Sequence, residues 1–159
     1  MKTPIHFVVS LIVSSLFGSI LLVGCKKTPD LLYSVDVTNM GSNEVWIDNF
    51  KMGDGDESTV GVGLLIPGGN AGYGPIFGTP NETVNFHWKD TKKGIEKQVR
   101  IQIRLPHCFF NKEFQPTIIF HIDPNSNAVI VTYRIFESKL HDFVEVDSDG
   151  NRVPQKLPH

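Results

Sequence analysis

The chain has 159 residues, with 15 basic and 17 acidic side chains and a formal net charge of −2. Its charged residues are scattered rather than clustered, which is typical of the solvated outside of a folded domain. A nucleic-acid-binding protein would carry a concentrated basic face, so that class is excluded from the leading hypotheses.

The amino terminus has the pattern of an export signal. Lys2 is followed by an uncharged, mostly apolar run from Ile5 to Gly24. A run of ~20 apolar residues would also suffice for a transmembrane helix, which remains the alternative. The segment Leu22-Val23-Gly24-Cys25 resembles the bacterial lipobox, in which cleavage before the Cys exposes a new terminus that carries lipid. This resemblance predicts lipid attachment at Cys25.

The resemblance to bacterial lipoproteins divides the chain into three parts. Residues 1–24 are the signal peptide, 25–31 the lipidated tether and 32–159 the folded β-domain. The 135 residues left after cleavage have the size of one domain. Lys26 stands where an Asp would retain a Gram-negative lipoprotein at the inner membrane. The resemblance therefore implies a lipid-anchored protein of the cell envelope, on the outer membrane and facing the periplasm.

From Leu32 onward, apolar and polar residues alternate with a period of two, which is typical of strands with one buried face. The clearest hairpin joins Thr83–Lys89 to Lys97–Leu105 through a polar turn. Three further hairpins are predicted, pairing Tyr33–Thr38 with Glu44–Lys51, Thr117–Asp123 with Ala128–Phe136, and Phe143–Val146 with Asn151–Val153.

These segments predict an all-β fold, an antiparallel two-sheet sandwich of about seven to eight strands preceded by an N-terminal signal helix. The glycine-rich stretch from Val60 to Phe77 departs from the pattern, and we expect one broken edge strand and a long loop there. Phe136, Leu140 and Phe143 would also suit a short helix.

The sequence contains no recognised catalytic or cofactor motif. There is no Gly-x-Ser-x-Gly elbow, and Cys108 is interpreted as a small apolar residue at the end of a strand. The acidic segments Asp54–Glu57 and Asp147–Asn151 are interpreted as a loop tip and a hairpin turn rather than calcium sites. Potential zinc donors without a recognised spacing are His87, His107, Cys108, His121 and His141. We therefore predict a protein that is not an enzyme and that needs no metal or cofactor.

Val35–Asn39, Val45–Ile47 and Val84–Trp88, around a Gly/Pro-rich centre, resemble an uncharacterised family of small bacterial lipoproteins. Members of that family are often encoded beside secreted antibacterial effectors. The leading hypothesis is therefore a membrane-anchored, non-enzymatic protein-binding module, with an immunity role against an effector as its specific form. The predicted interaction residues are Asp54, Asp56, Glu57, Tyr73 and Phe77. The alternatives are a small-ligand or metal-binding envelope lipoprotein and a structural component of an envelope assembly.

Overall fold

The structure is a computed structural model that describes residues 31–53, 58–110, 114–126 and 128–154. The predicted signal peptide, its helix and Cys25 lie outside the described residues, as does the segment Asp54–Glu57. The described strands are β1 (Leu31–Asn39), β2 (Val45–Ile47), β3 (Phe50–Lys51), β4 (Thr59–Val60), β5 (Gly63–Leu65), β6 (Asn70–Gly78), β7 (Thr83–Asp90), β8 (Ile95–Gln102), β9 (Thr117–Asp123), β10 (Ala128–Glu137) and β11 (Asp142–Val146). A single-turn 3₁₀ helix spans His107–Phe110.

Two sheets pack face to face around one apolar core. The five-stranded sheet has the order β11-β10-β9-β1-β6, and the four-stranded sheet has the order β5-β2-β7-β8. Phe86 of the four-stranded sheet meets Phe120 of the five-stranded sheet, with ring centroids 5.0 Å apart. Phe50, from the short ribbon β3-β4, contacts both rings. This aromatic cluster holds the two sheets together across the core.

The all-β class predicted from the alternating pattern is confirmed. The β7-β8 hairpin pairs Thr83 with Gln102 and Asp90 with Ile95, and its inward residues Val84, Phe86 and Trp88 are buried. The β9-β10 hairpin is also present. The two sheets contain nine strands rather than seven or eight, because the glycine-rich stretch adds ordered strands of its own.

The predicted hairpin between Tyr33–Thr38 and Glu44–Lys51 is wrong. The first strand, β1, pairs with β6 on one side and runs parallel to β9 on the other, whereas β2 pairs with β5 and β7. The two segments therefore lie in different sheets, and the turn after Asn39 carries the chain across the sandwich. Among the strand pairs of the described residues, β1-β9 is parallel and the others are antiparallel, as the predicted antiparallel sandwich implies for most of them.

Val60–Phe77 contains the predicted broken edge strand, which is β6, but the predicted long loop is wrong. The strand β6 covers eight residues of this stretch and shields the open edge of β1. The register shifts between Tyr33 and Val35, where Gly74 comes so close to β1 that a Cβ would lie 3.1 Å from the Ser34 Cα. Glycine allows this close approach. The segment that contains Pro75 and several glycines therefore continues as an irregular strand.

The carboxy-terminal part differs from its predicted pairing in two ways. The strand β11 pairs with β10, so Phe136 and Phe143 face each other on neighbouring strands and not along a helix. The predicted last hairpin is reduced to one bridge between Val146 and Arg152. Cys108 is half-buried against the core within the 3₁₀ helix, rather than at the end of a strand.

Candidate protein-interaction site

The outer surface of the four-stranded sheet carries an exposed tryptophan. Within β2, Val45 and Ile47 are buried, and Trp46 between them is 49% exposed because alternate residues of a strand point to opposite faces. Leu64 and Lys89 are its direct neighbours on the two adjoining strands. We call this surface the Trp46 face and define it by Trp46, Asp48, Leu64, His87 and Lys89.

Hydrogen bonds fix the indole of Trp46 to its surroundings. Its Nε1 donates to Oδ1 of Asp48 at 3.1 Å, and the other oxygen of that carboxylate bonds to Nδ1 of His87. The bond from His87 is the main cause that lowers the pKa of Asp48 below its ordinary value. The carboxylate is therefore charged at neutral pH, and the indole enters any contact already oriented.

The charges of the Trp46 face are largely balanced. Lys89 Nζ lies 2.8 Å from Glu96 Oε1, and this contact raises the pKa of Lys89 and lowers that of Glu96. An exposed pair of this kind contributes little to stability. It leaves an amphipathic indole beside Leu64 in a setting without excess charge. Such an arrangement is typical of the central anchor of a protein interface, where Trp is enriched.

The predicted interaction residues Tyr73 and Phe77 lie elsewhere, on the edge strand β6. Phe77 is 71% exposed and stands directly opposite Leu32, while Tyr73 is opposite Val35 and less exposed. Asp54, Asp56 and Glu57 are outside the described residues. The structure thus joins Phe77 to an exposed apolar neighbour on β1, and it places both on the other sheet from Trp46.

A partly buried polar cluster lies on the outer surface of the five-stranded sheet. His121 Nε2 lies 2.8 Å from both Thr132 Oγ1 and Glu145 Oε1, and Thr132 donates to the same carboxylate at 2.5 Å. A catalytic relay would place the acid on the second ring nitrogen, but Nδ1 of His121 is buried and has no partner. Thr132 is also buried. The trio is explained as structural hydrogen bonding.

In the acidic turn after β11, the Asp147 carboxylate binds backbone groups of the same turn. Asp147 Oδ1 accepts hydrogen bonds from the backbone N–H groups of Asp149 and Asn151, each at 2.9 Å. These bonds lower the pKa of Asp147. Throughout the part of the chain that the structure describes, no three His, Cys, Asp or Glu side chains are grouped as metal ligands would be.

A surface depression of about 350 Å³ lies where β7 begins and β8 ends. Its lining runs from Thr79 to Glu82 and from Gln102 to Leu105. Glu82 and Arg104 supply one charge of each sign, and no aromatic side chain is present to stack on a ligand. The depression is open on one side, unlike the enclosed pockets that bury most of a small ligand.

Comparison with known proteins adds no identification. No protein-family model, curated protein or solved structure matches the chain. Among residues 31–53, 58–110, 114–126 and 128–154, no helix is long and apolar enough to cross a membrane.

Proposed function

We propose that this protein is a membrane-anchored, non-enzymatic protein-binding module of the cell envelope, which binds its partner through the Trp46 face. The supporting observation is Trp46 itself, exposed on an inner strand of the four-stranded sheet and oriented by Asp48 and His87. Large aromatic side chains held in one orientation give contact area at a low entropic cost.

The anchor in this proposal is Cys25. The lipobox-like Leu22-Val23-Gly24-Cys25 supports it, as does the apolar run that precedes it. Two or more acyl chains hold a folded domain on a membrane without a spanning helix. Confinement to that surface raises the effective concentration against a partner that arrives there. A secreted antibacterial effector is the partner class that the family resemblance suggests.

The binding surface is tested by photocrosslinking in intact cells. A photoreactive amino acid at position 46 is expected to trap one defined partner, whereas the same group at position 130 traps none. Ile130 is a matched control, because it is 59% exposed and lies on the outer surface of the opposite sheet. Trapping that is equal at both positions, or absent at position 46, would contradict a partner on the Trp46 face.

The anchor is tested separately by mass spectrometry of the protein purified from membranes. An acylated terminus at Cys25 is the expected result, and Cys25→Ala should leave a full-length precursor with an unmodified terminus. An intact Met1 together with a free thiol at position 25 in the wild-type protein would refute the lipid anchor. It would leave the crosslinking result at position 46 standing on its own.

A further inference from the structure

Six apolar side chains lie at one end of the five-stranded sheet, outside the core. Leu32, Phe77, Phe114, Leu140 and Phe143 are exposed and Phe136 is partly buried. We call this group the apolar rim. Soluble domains rarely leave large apolar residues together at the surface, so a group of this size indicates a contact with another apolar phase or a partner.

The register of the strands places the members of the rim side by side. Leu32 is paired with Phe77, and Phe136 is paired with Phe143. The ring of Phe114 packs on the second pair, with its centroid 3.7 Å from that of Phe136 and 6.1 Å from that of Phe143. The rim therefore crosses the sheet from β11 at one edge to β6 at the other.

The segment before β9 fixes Phe114 at the same end as Leu32. The backbone N–H of Ser34 donates to the carbonyl of Pro116 at 2.9 Å, and the Gln115 side chain donates to Ser34 Oγ at 2.6 Å. Since β1 and β9 run parallel with Ser34 opposite Thr117, residues before each of these positions lie at one end of the sheet. The rim is thus at the end where β1 begins.

The start of β1 connects the rim to the anchor. Leu31 follows Cys25 by six residues, a length of chain that spans at most about 20 Å when fully extended. If Cys25 carries acyl chains, the start of β1, where Leu32 belongs to the rim, is held within that distance of the lipid surface. The Trp46 face belongs to the other sheet and points to the opposite side of the sandwich.

The balanced charge at the rim favours its contact with the apolar part of the lipid interface rather than with anionic headgroups. Where β10 ends and β11 begins, Lys139 and Asp142 are exposed and of opposite sign, and Glu137 is paired with Arg152. These four side chains sum to no net charge. Among these residues of the rim no excess of basic groups is present, so the contact of the rim with lipid would depend on its apolar side chains.

We propose that the apolar rim rests on the bilayer that carries the anchor, inserting Leu32 and the rim phenylalanines at the level of the lipid interface. The inference rests on the proposed lipid anchor and adds an orientation to it. The five-stranded sheet meets the membrane through its rim, and the Trp46 face is turned away from the lipid.

The test uses the lipidated protein reconstituted in phosphatidylcholine vesicles that contain lipids brominated on the acyl chain. The Phe77→Trp variant places a fluorescent reporter in the rim, with the wild-type emission as background. The matched control is Ile130→Trp, on the same outer surface but at the other end, since Ile130 is opposite His121 and His121 is opposite Thr38. A blue shift and a loss of emission are expected for the rim reporter and neither for the control.

A second rim variant, Leu32→Trp, repeats the measurement should Phe77→Trp disturb the fold, and circular dichroism identifies any such variant. Protein that floats with the vesicles but shows no quenching at either rim position overturns the rim contact and leaves the anchor standing. Equal quenching at position 130 also overturns the rim contact and leaves the anchor standing. Burial of the rim against a second copy of the chain has the same consequence. Protein that does not float overturns the anchor and this inference together.

Discussion

The two outer surfaces of the sandwich are built from the same alternating pattern but carry different side chains. On the four-stranded sheet the outward positions hold charged and amide groups around Trp46 and Leu64. On the five-stranded sheet, the outward positions hold a polar cluster at the centre and the apolar rim at one end. The alternation of apolar and polar residues alone predicts a polar, solvent-exposed outer surface for both sheets.

The difference between the surfaces is one of how apolar groups are distributed. Trp46 is a single aromatic anchor among balanced polar groups, which suits a partner that must also stay soluble. The rim places several exposed apolar side chains at one end of a single sheet, which suits a lipid surface. Between the rim and Ile130 the outer surface is polar. There Arg134 of β10 forms an ion pair with Asp36 of β1, and the buried Ile119 lies on the strand between them. The rim is therefore confined to one end of the strands and does not extend along them over the whole outer surface.

The largest effect is expected from breaking the core that keeps the two surfaces on opposite sides. Phe86→Ala removes a fully buried ring that contacts Phe50 and Phe120. We expect the free energy of unfolding to fall by about 3–5 kcal/mol, measured by urea denaturation. A loss below about 1 kcal/mol would mean that the aromatic cluster does not hold the sheets together.

A smaller effect, on binding rather than on folding, separates the two surfaces directly. Trp46→Ala should weaken binding to the partner trapped at position 46 by about 2 kcal/mol, roughly 30-fold in Kd. The urea midpoint should change little, because Trp46 is half exposed. The control Ile130→Ala should leave Kd unchanged. Equal losses for both variants would show that binding does not use the Trp46 face.

Sequence patterns predicted the core better than the surfaces. Residues with strict alternation, such as Val84, Phe86 and Trp88, were placed correctly because burial of one face determines the register of a strand. The same alternation marks Trp46 as outward between Val45 and Ile47, a signal that could have identified the candidate site. It was missed because a lone outward aromatic is indistinguishable from ordinary surface until its neighbours on other strands are known.

Pairing between distant segments was beyond the sequence. The parallel pair β1-β9 joins residues more than eighty positions apart, and no turn signal connects them. The rim depends on this pairing, because Leu32, Phe114 and Phe143 come from three separate segments. Phe77 was predicted as an interaction residue from its apolar character, but its partner Leu32 could not be inferred because the predicted broken edge strand had no assigned pairing.

The free energy of unfolding should depend on pH through Asp90 of the four-stranded sheet. Asp90 ends β7 and accepts hydrogen bonds from the backbone N–H of Lys93 and from the Asn43 side chain, which lower its pKa below the ordinary 3.8. In the unfolded chain the carboxyl keeps its ordinary pKa, so the stabilisation is complete above that value. As the pH falls below about 4, the unfolded state binds the proton first and the free energy of unfolding decreases. Urea midpoints between pH 6 and pH 3 should therefore fall less steeply for Asp90→Asn than for the wild type, and equal slopes would contradict the role of Asp90.

The smallest effect on stability is expected at the rim, and it is the strongest contrast with the core. Phe77→Ser replaces a ring that is 71% exposed, so the free energy of unfolding in water should change by no more than about 0.5 kcal/mol. The same change should weaken the contact with lipid, because an exposed ring gains free energy only when another phase removes it from water. Hydrogen exchange on vesicles would then show less protection of the Leu32–Phe77 strand pair in the variant than in the wild type. A large loss of stability in water would instead assign Phe77 to the fold, and the rim would lose its most exposed member.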